Sequence, residues 1–517
     1  MEAAWDQGDH FGTGSAPGPL VVGRVSRFCT PATHDALGDT DQNHYHQQES
    51  CWTTMVGRPF GLTPPAGPPA GPAPGAAVKI TWTILAPIQR FALVLDRSAA
   101  VTGVFLAEIK IGAGWWADAA VFRDQLGIVS VGDTPRTDVG IRTIATAADR
   151  AAIRVAVVGL QAGGARATGG ALREALGDVL AAGPRAANQV LVLVTDGAAT
   201  VGPGPDAVLP ALLANGVRVY TVAVGPFADV VLLADIARTT GGAFFRVDPR
   251  LPETEQAFRV RTALQQISQS ARDRVGFVAV LPDSVQPGAP LDQTVFIEEG
   301  SERALFAVSW RDPVPLRFEV VRPGDDESDA ITPDAMPPGV RLIADEVYTA
   351  FEVEAPTEGE WRVRISADSA PGPVEHLVFV TSQHPRITGA LRAVQPRPRV
   401  GDPVLLQLQV GYGHPLTGLT VLDGIARLPD GFQAVLRFID VGDPDTGDAI
   451  REDGLYSAML RDTTQAGVYT VTVEVVSDGS SARQATGAEP PDPNETFPPL
   501  SVPAFRRRLE TTFVITN

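Results

Sequence analysis

The chain has 517 residues, 44% hydrophobic and 20% charged, with 60 acidic against 42 basic side chains and a formal charge of -18. That length exceeds one hydrophobic core and suggests about three domains. The composition is globular rather than disordered, and the acidic balance argues against nucleic acid or an anionic lipid surface as a partner, because both select a basic face.

The first 61 residues form a polar N-terminal segment that holds the only two cysteines, Cys29 and Cys51. They either pair, closing a loop worth about 3 kcal/mol, or stay as free thiols. The start, Met1-Glu2-Ala3-Ala4-Trp5, lacks the basic and apolar regions of a signal peptide. No apolar run approaches the roughly 20 residues that a membrane helix needs. Residues 62–77, LTPPAGPPAGPAPGAA, offer nothing to bury and few backbone donors, so they read as a linker.

Residues 78–271 then alternate strand, loop and helix. Phe91 to Leu95, Leu126 to Val131, Val190 to Val194, Val217 to Val224 and Ala243 to Val247 are short and apolar on both faces, which implies a parallel sheet covered on each side. Helices are expected from Gly169 to Ala182, Asp206 to Asn215 and Phe227 to Thr240, the last two stopped by Gly216 and by Gly241-Gly242. Glu253 to Ala271 repeats Ala257, Val260, Leu264, Ile267 and Ala271 at helical spacing and closes the unit. Trp115-Trp116 is expected to pack in the core, on a helix after the first strand. The expected fold class is multidomain, with a doubly wound (Rossmann-like) α/β domain followed by two all-β sandwiches.

The β-rich remainder divides near Pro385 into sandwiches at 272–385 and 386–480, with strands such as Thr294 to Glu298, Ala304 to Trp310, Trp361 to Ile365 and Leu377 to Thr381. A Pro-rich tail, 481–517, ends in a strand candidate, Glu510 to Thr516, that pairs back onto a sheet or reaches another chain.

In doubly wound sheets ligands sit beyond the carboxyl ends of the strands. Three segments map there: Asp96-Arg97-Ser98-Ala99-Ala100, Thr168-Gly169-Gly170 and Thr195-Asp196-Gly197. A hard cation wants carboxylate and hydroxyl oxygens, and Asp96, Ser98, Thr168 and Asp196 supply such a set. These residues resemble the metal-ion-dependent adhesion site of von Willebrand factor type A domains, whose pattern is Asp-x-Ser-x-Ser, then a Thr, then an Asp. The resemblance implies one Mg²⁺, Ca²⁺ or Mn²⁺ with a position left open for an acidic residue of a protein partner. Ala100 stands where the pattern has its second serine and cannot ligate. Without a metal, Asp96 and Asp196 are polar strand ends and Thr168 is a helix cap.

Flanking landmarks widen the resemblance. Phe28-Cys29-Thr30, His34-Asp35, Gln42-Asn43 and Cys51-Trp52-Thr53-Thr54 look like the junction before the type A domain in the calcium-activated chloride channel regulator (CLCA) family. Gly447-Asp448, Asp453-Gly454-Leu455-Tyr456-Ser457 and Gly467-Val468-Tyr469-Thr470-Val471 resemble that family's fibronectin-III-like module. The family's metalloprotease motif, His-Glu-x-x-His, does not occur, and His34, His44 and His46 lack its helical spacing and its partnered Glu, so they read as loop histidines.

Asp440, Asp443, Asp445, Asp448 and Asp453 form an acidic, Gly-rich stretch that reads either as turn residues between strands or as a second, calcium-binding loop. No nucleophile elbow or phosphate loop is present. The expectation is therefore a non-enzymatic adhesion or binding protein, secreted or at a cell surface, with a cytoplasmic place as the alternative. A metal-independent scaffold is the other reading, and ion-channel modulation would follow only by family analogy.

Overall fold

The computed structural model describes residues 25–27, 55–57, 88–485 and 502–517, apart from Thr102, Phe122, Pro184, Arg185, Ala187, Asp273 and Leu422. Cys29, Cys51, His34, His44, His46 and the linker at 62–77 lie outside the described residues. The chain divides into two units, Met1–Pro87 and Ile88–Asn517. In the first, β1 (Val25–Arg27) pairs antiparallel with β2 (Met55–Gly57).

The second unit begins with a six-stranded sheet. Its elements are β3 (Gln89–Asp96), α1 (Val104–Ala119), β4 (Gln125–Val131), β5 (Arg136–Thr143), α2 (Ala147–Val158), α3 (Thr168–Ala181), β6 (Asn188–Thr195), α4 (Leu209–Ala214), β7 (Arg218–Ala223), α5 (Val230–Thr240), β8 (Phe244–Arg246) and α6 (Glu253–Ser270). The strand order is β5-β4-β3-β6-β7-β8. All neighbours run parallel except β5, which turns back along β4. Alternate residues of β3 serve opposite faces, as the pleat requires. Phe91, Leu93 and Leu95 pack with α1, α2 and α6, whereas Ala92 and Val94 pack with α3, α4 and α5.

Two helical features went beyond the sequence pattern. Helix α2 is fixed by a capping box, in which Thr146 accepts from the Asp149 amide and Asp149 accepts from the Thr146 amide. Its outward Val155 and Val158 are exposed and blur the polar face that a periodicity search needs. Helix α1 is buried on more than one side, with Trp115 and Trp116 both inside, so it shows no amphipathic stripe.

The remaining chain is antiparallel. β9 (Val275–Val285), β10 (Leu291–Ile297), β11 (Arg303–Trp310), β12 (Arg317–Val321), β13 (Val340–Asp345), β14 (Tyr348–Glu354), β15 (Gly359–Ser366) and β16 (Val374–Gln383) surround one core, with Phe306, Phe318, Phe351 and Trp361 at its centre. β17 (Ile387–Ala393), β18 (Val404–Tyr412), β19 (Leu416–Thr417), β20 (Thr420–Val421), β21 (Gly424–Arg427), β22 (Gln433–Leu436), β23 (Leu455–Leu460), β24 (Gly467–Asp478), β25 (Arg483–Gln484) and β26 (Ala504–Ile515) surround another, around Leu406, Tyr456 and Tyr469. The final strand resolves its two alternatives. β26 pairs with β24 along its whole length and touches β9 through Arg508 and Phe277, so one sheet runs through both sandwiches.

Both sandwiches grip the α/β domain. Trp115 donates to Ser268 Oγ at 2.8 Å and meets Tyr348 and Phe379 edge-on, with ring centres 5.1 and 5.8 Å apart. Arg154 bridges Asp118 and Asp345, and Tyr348 Oη donates to Asp118 at 2.6 Å. On the other side Arg397 pairs with Asp235 at 2.6 Å, and Val468 and Val514 close the core under α5.

Candidate functional site

β3 and β6 lie side by side, so Asp96 and Asp196 emerge together at the carboxyl edge of the sheet. Asp96 is fully buried: Oδ1 accepts the Ser98 amide at 2.8 Å, and Oδ2 accepts Thr195 Oγ1 at 2.6 Å. Asp196 is partly exposed. Its carboxyl is pushed up to about 6, first by burial and then by the charge of Asp96, against the opposing pull of Arg166.

Arg166 is the residue that sequence reasoning missed. Its Nε donates to Asp96 Oδ2 at 3.1 Å, its Nη2 pairs with Asp196 Oδ1, and its Nη1 donates to the Ala198 carbonyl at 2.9 Å. The loop that carries it is strapped down as well, since its amide donates to Thr200 Oγ1 and its carbonyl accepts the Thr200 amide, each at 2.8 Å. Gly197 makes room for the head group, because a Cβ there would lie 3.2 Å from Arg166 Nη1. The available signal was compositional: Arg166 is the single charge within the run Gly163 to Gly170.

Asp196 Oδ1 has its ion-pair contact with Arg166 but no hydrogen bond, and Ser98 and Thr168 are in a similar position. Both are buried, and Ser98 Oγ and Thr168 Oγ1 find no hydrogen-bond partner. Thr168 is the first residue of α3 and does not act as its side-chain cap, since Ala167 holds the cap position. Orphaned hydroxyls would suit a cation, but the two carboxylates are already crossed by a guanidinium that makes three contacts, and Ala100 offers no oxygen. In this structure the guanidinium of Arg166 lies where a cation between Asp96 and Asp196 would sit, beside the Ser98 and Thr168 hydroxyls.

Of the acidic stretch, Asp440, Asp448 and Asp453 converge, with one oxygen of each within 4.8 Å of the others. Their oxygens serve the backbone. Asp448 Oδ2 accepts the amides of Val441 and Gly442, and Asp440 accepts those of Asp453 and Gly454. Asp443 turns away to accept the Asp445 amide at the start of a 3₁₀ turn. The turn reading thus accounts for Asp443, Asp445 lies within the same 3₁₀ turn and outside the cluster, and the calcium reading keeps Asp440, Asp448 and Asp453.

No curated protein matches the chain. A von Willebrand factor type A protein from Catenulispora acidiphila is similar over 64% of this chain and 64% of its own, at 14% identity and a TM-score of 0.32. Proximal thread matrix protein 1 from the mussel byssus, solved with a zinc-occupied MIDAS motif, is 21% identical over 35% of this chain and 46% of its own, with a TM-score of 0.29. The vWF domain of the type V pilus tip protein Mfa5 from Porphyromonas gingivalis is 13% identical over 37% of this chain and 98% of its own, with a TM-score of 0.27. The chain therefore spans less than two thirds of the first two proteins. None of these likenesses links the chain to the CLCA family or to a fibronectin-III module. The pattern of the von Willebrand factor type A domain matches residues 92–258, the segment that holds Asp96, Arg166 and Asp196, and the chain thus contains a von Willebrand factor type A (VWA) domain.

Proposed function

We propose that this chain is a non-enzymatic binding or assembly protein whose VWA domain docks a protein partner through the carboxyl edge of its sheet, without needing a resident metal. The observation that carries the reading is Phe227, 91% exposed in the loop that follows β7. That loop lies against the Asp196-Gly197 turn, since a Cβ on Gly197 would come within 3.6 Å of the Phe227 carbonyl. Val201, on the neighbouring loop, is also exposed. An aromatic side chain left in water at the edge where doubly wound folds bind ligands is the kind of anchor that dominates protein interfaces. The partner is a protein with an apolar pocket for that ring.

The sandwiches serve as a rigid mount that fixes the direction of the edge. Two finer proposals rest on the sequence resemblance to the CLCA family alone: a secreted or cell-surface place and, by family analogy only, ion-channel modulation. The test is affinity capture with the full chain in the presence and absence of a chelator, alongside Phe227→Asp. Proteins retained in chelator and lost with Phe227→Asp support the reading. Capture abolished by the chelator refutes metal independence, and capture unaffected by Phe227→Asp refutes the docking edge.

A further inference from the structure

We propose that Arg166 is a tethered cation that has taken the divalent ion's place between Asp96 and Asp196, and that removing its guanidinium converts the edge into a divalent-metal site built from Asp96, Ser98, Thr168 and Asp196. The inference rests on the geometry of the site and is independent of what the protein binds.

Two carboxylates that emerge together at the end of neighbouring strands need a positive charge, since each raises the cost of ionising the other. A metal supplies it from solution and must be paid for in lost hydration, whereas an Arg on the same chain arrives with folding. The guanidinium has the shape for this work: its planar fork presents donors in several directions at once. Here Nε takes Asp96, Nη2 takes Asp196 and Nη1 takes the Ala198 carbonyl. The Arg166 side chain is 12% exposed and Asp96 is 0% exposed, so the pair is desolvated rather than a loose surface contact.

The surroundings are consistent with a replaced metal. Ser98 Oγ and Thr168 Oγ1 are hydroxyl oxygens buried without a partner. A guanidinium cannot satisfy them all, because its reach is set by its plane, whereas a spherical ion draws in whatever oxygens surround it. Ala100 matches the same account, since a site no longer filled by a metal has no use for a second serine. Gly197 leaves the clearance that the head group occupies.

The experiment is a titration of Mn²⁺, followed by its electron paramagnetic resonance signal and by calorimetry, into the full chain as wild type, Arg166→Thr and Arg166→Gln. Arg166→Thr opens the space and adds an oxygen, and Arg166→Gln removes the charge while keeping a shorter polar side chain that ends near the Nε position. Folding is checked by circular dichroism. The expected result is weak or no binding by wild type, with affinity raised about 10- to 100-fold in Arg166→Thr, the range over which changes next to a metal ligand act. That gain should disappear in Arg166→Thr/Asp196→Ala, and Mn²⁺ should raise the melting temperature of Arg166→Thr alone.

Wild type that binds Mn²⁺ as tightly as Arg166→Thr, or folded variants that bind no better than wild type, would overturn the proposal. Should neither variant fold, the wild type decides: Mn²⁺ bound by wild type and not by Asp196→Ala overturns it, and no binding supports it. Because only the metal is added, failure here leaves the partner-docking reading untouched, and loss of docking in Phe227→Asp leaves this one untouched.

Discussion

Replacing Arg507 by Met should loosen the joint between the final strand and the first sandwich. Glu298 is 0% exposed and the Arg507 side chain 3%, and the two are joined by two hydrogen bonds, one of them Nη1 to Oε2 at 3.1 Å. Ser382 Oγ adds a third at 2.6 Å. Burial alone would raise the Glu298 carboxyl, but the charge and hydrogen bonds of Arg507, with Ser382, outweigh it and hold the group below its usual range. Without the guanidinium an ionised carboxylate stays in the core with Ser382 as its remaining side-chain donor, which costs about 3–5 kcal/mol. At an m-value of about 2–3 kcal/mol/M, urea unfolding followed by the β-sheet dichroism signal should shift its midpoint down by about 1–2 M.

The double variant Glu298→Leu/Arg507→Met should recover most of this, because well-packed apolar groups replace a buried pair at little or no cost. The pH dependence has a definite sign. A carboxyl whose folded value is depressed contributes stability above its unfolded value and loses it as pH falls through the folded one. The gap between wild type and Arg507→Met should therefore be widest near neutral pH and shrink as pH falls from the raised value that burial gives the unpaired Glu298 of the variant to the depressed value of wild type. A single variant within about 1 kcal/mol of wild type, a double as damaged as the single, or a gap that ignores pH would each refute the argument.

Three further outcomes are expected. Gly169→Ala puts a Cβ 2.3 Å from the Pro203 carbonyl and 2.4 Å from that of Gly204, both backbone, and should cost about 1–3 kcal/mol by calorimetric melting; an unchanged melt would mean that the loop yields freely. Asp448→Ala strands the amides of Val441 and Gly442, so it should destabilise the second sandwich by about 1–3 kcal/mol in urea, whereas Asp443→Ala, which frees one exposed amide, should cost less. Asp196 holds its proton more tightly folded than unfolded, so its contribution is complete at low pH and is lost as pH rises toward about 6. Asp196→Asn should remove that slope between pH 4 and 6, and an identical slope in both proteins would contradict it.

Much of this molecule is written locally. The apolar runs at Phe91 to Leu95 and Val190 to Val194 mark strands buried on both faces, and the structure buries every residue of the second. The break at Leu62 to Ala77 and the change to alternating patterns after residue 272 are likewise local, because a two-residue period and a proline's missing donor need no neighbours to be read. The two aspartates follow from this, since strand ends on a parallel sheet fix where Asp96 and Asp196 emerge.

What the sequence could not settle depends on contacts across long separations. Whether β5 runs with or against its neighbour is decided by its pairing with β4, and the home of β26 is decided by β24 and by the Arg507–Glu298 pair, 209 residues apart. Asp440, Asp448 and Asp453 converge only because the loop folds back on itself. Arg166 is the sharpest case. Its neighbours in sequence are small and silent, and its role arises from a long side chain reaching two strand ends, Asp96 lying 70 residues away. Local pattern placed the carboxylates, and the tertiary fold chose the cation between them.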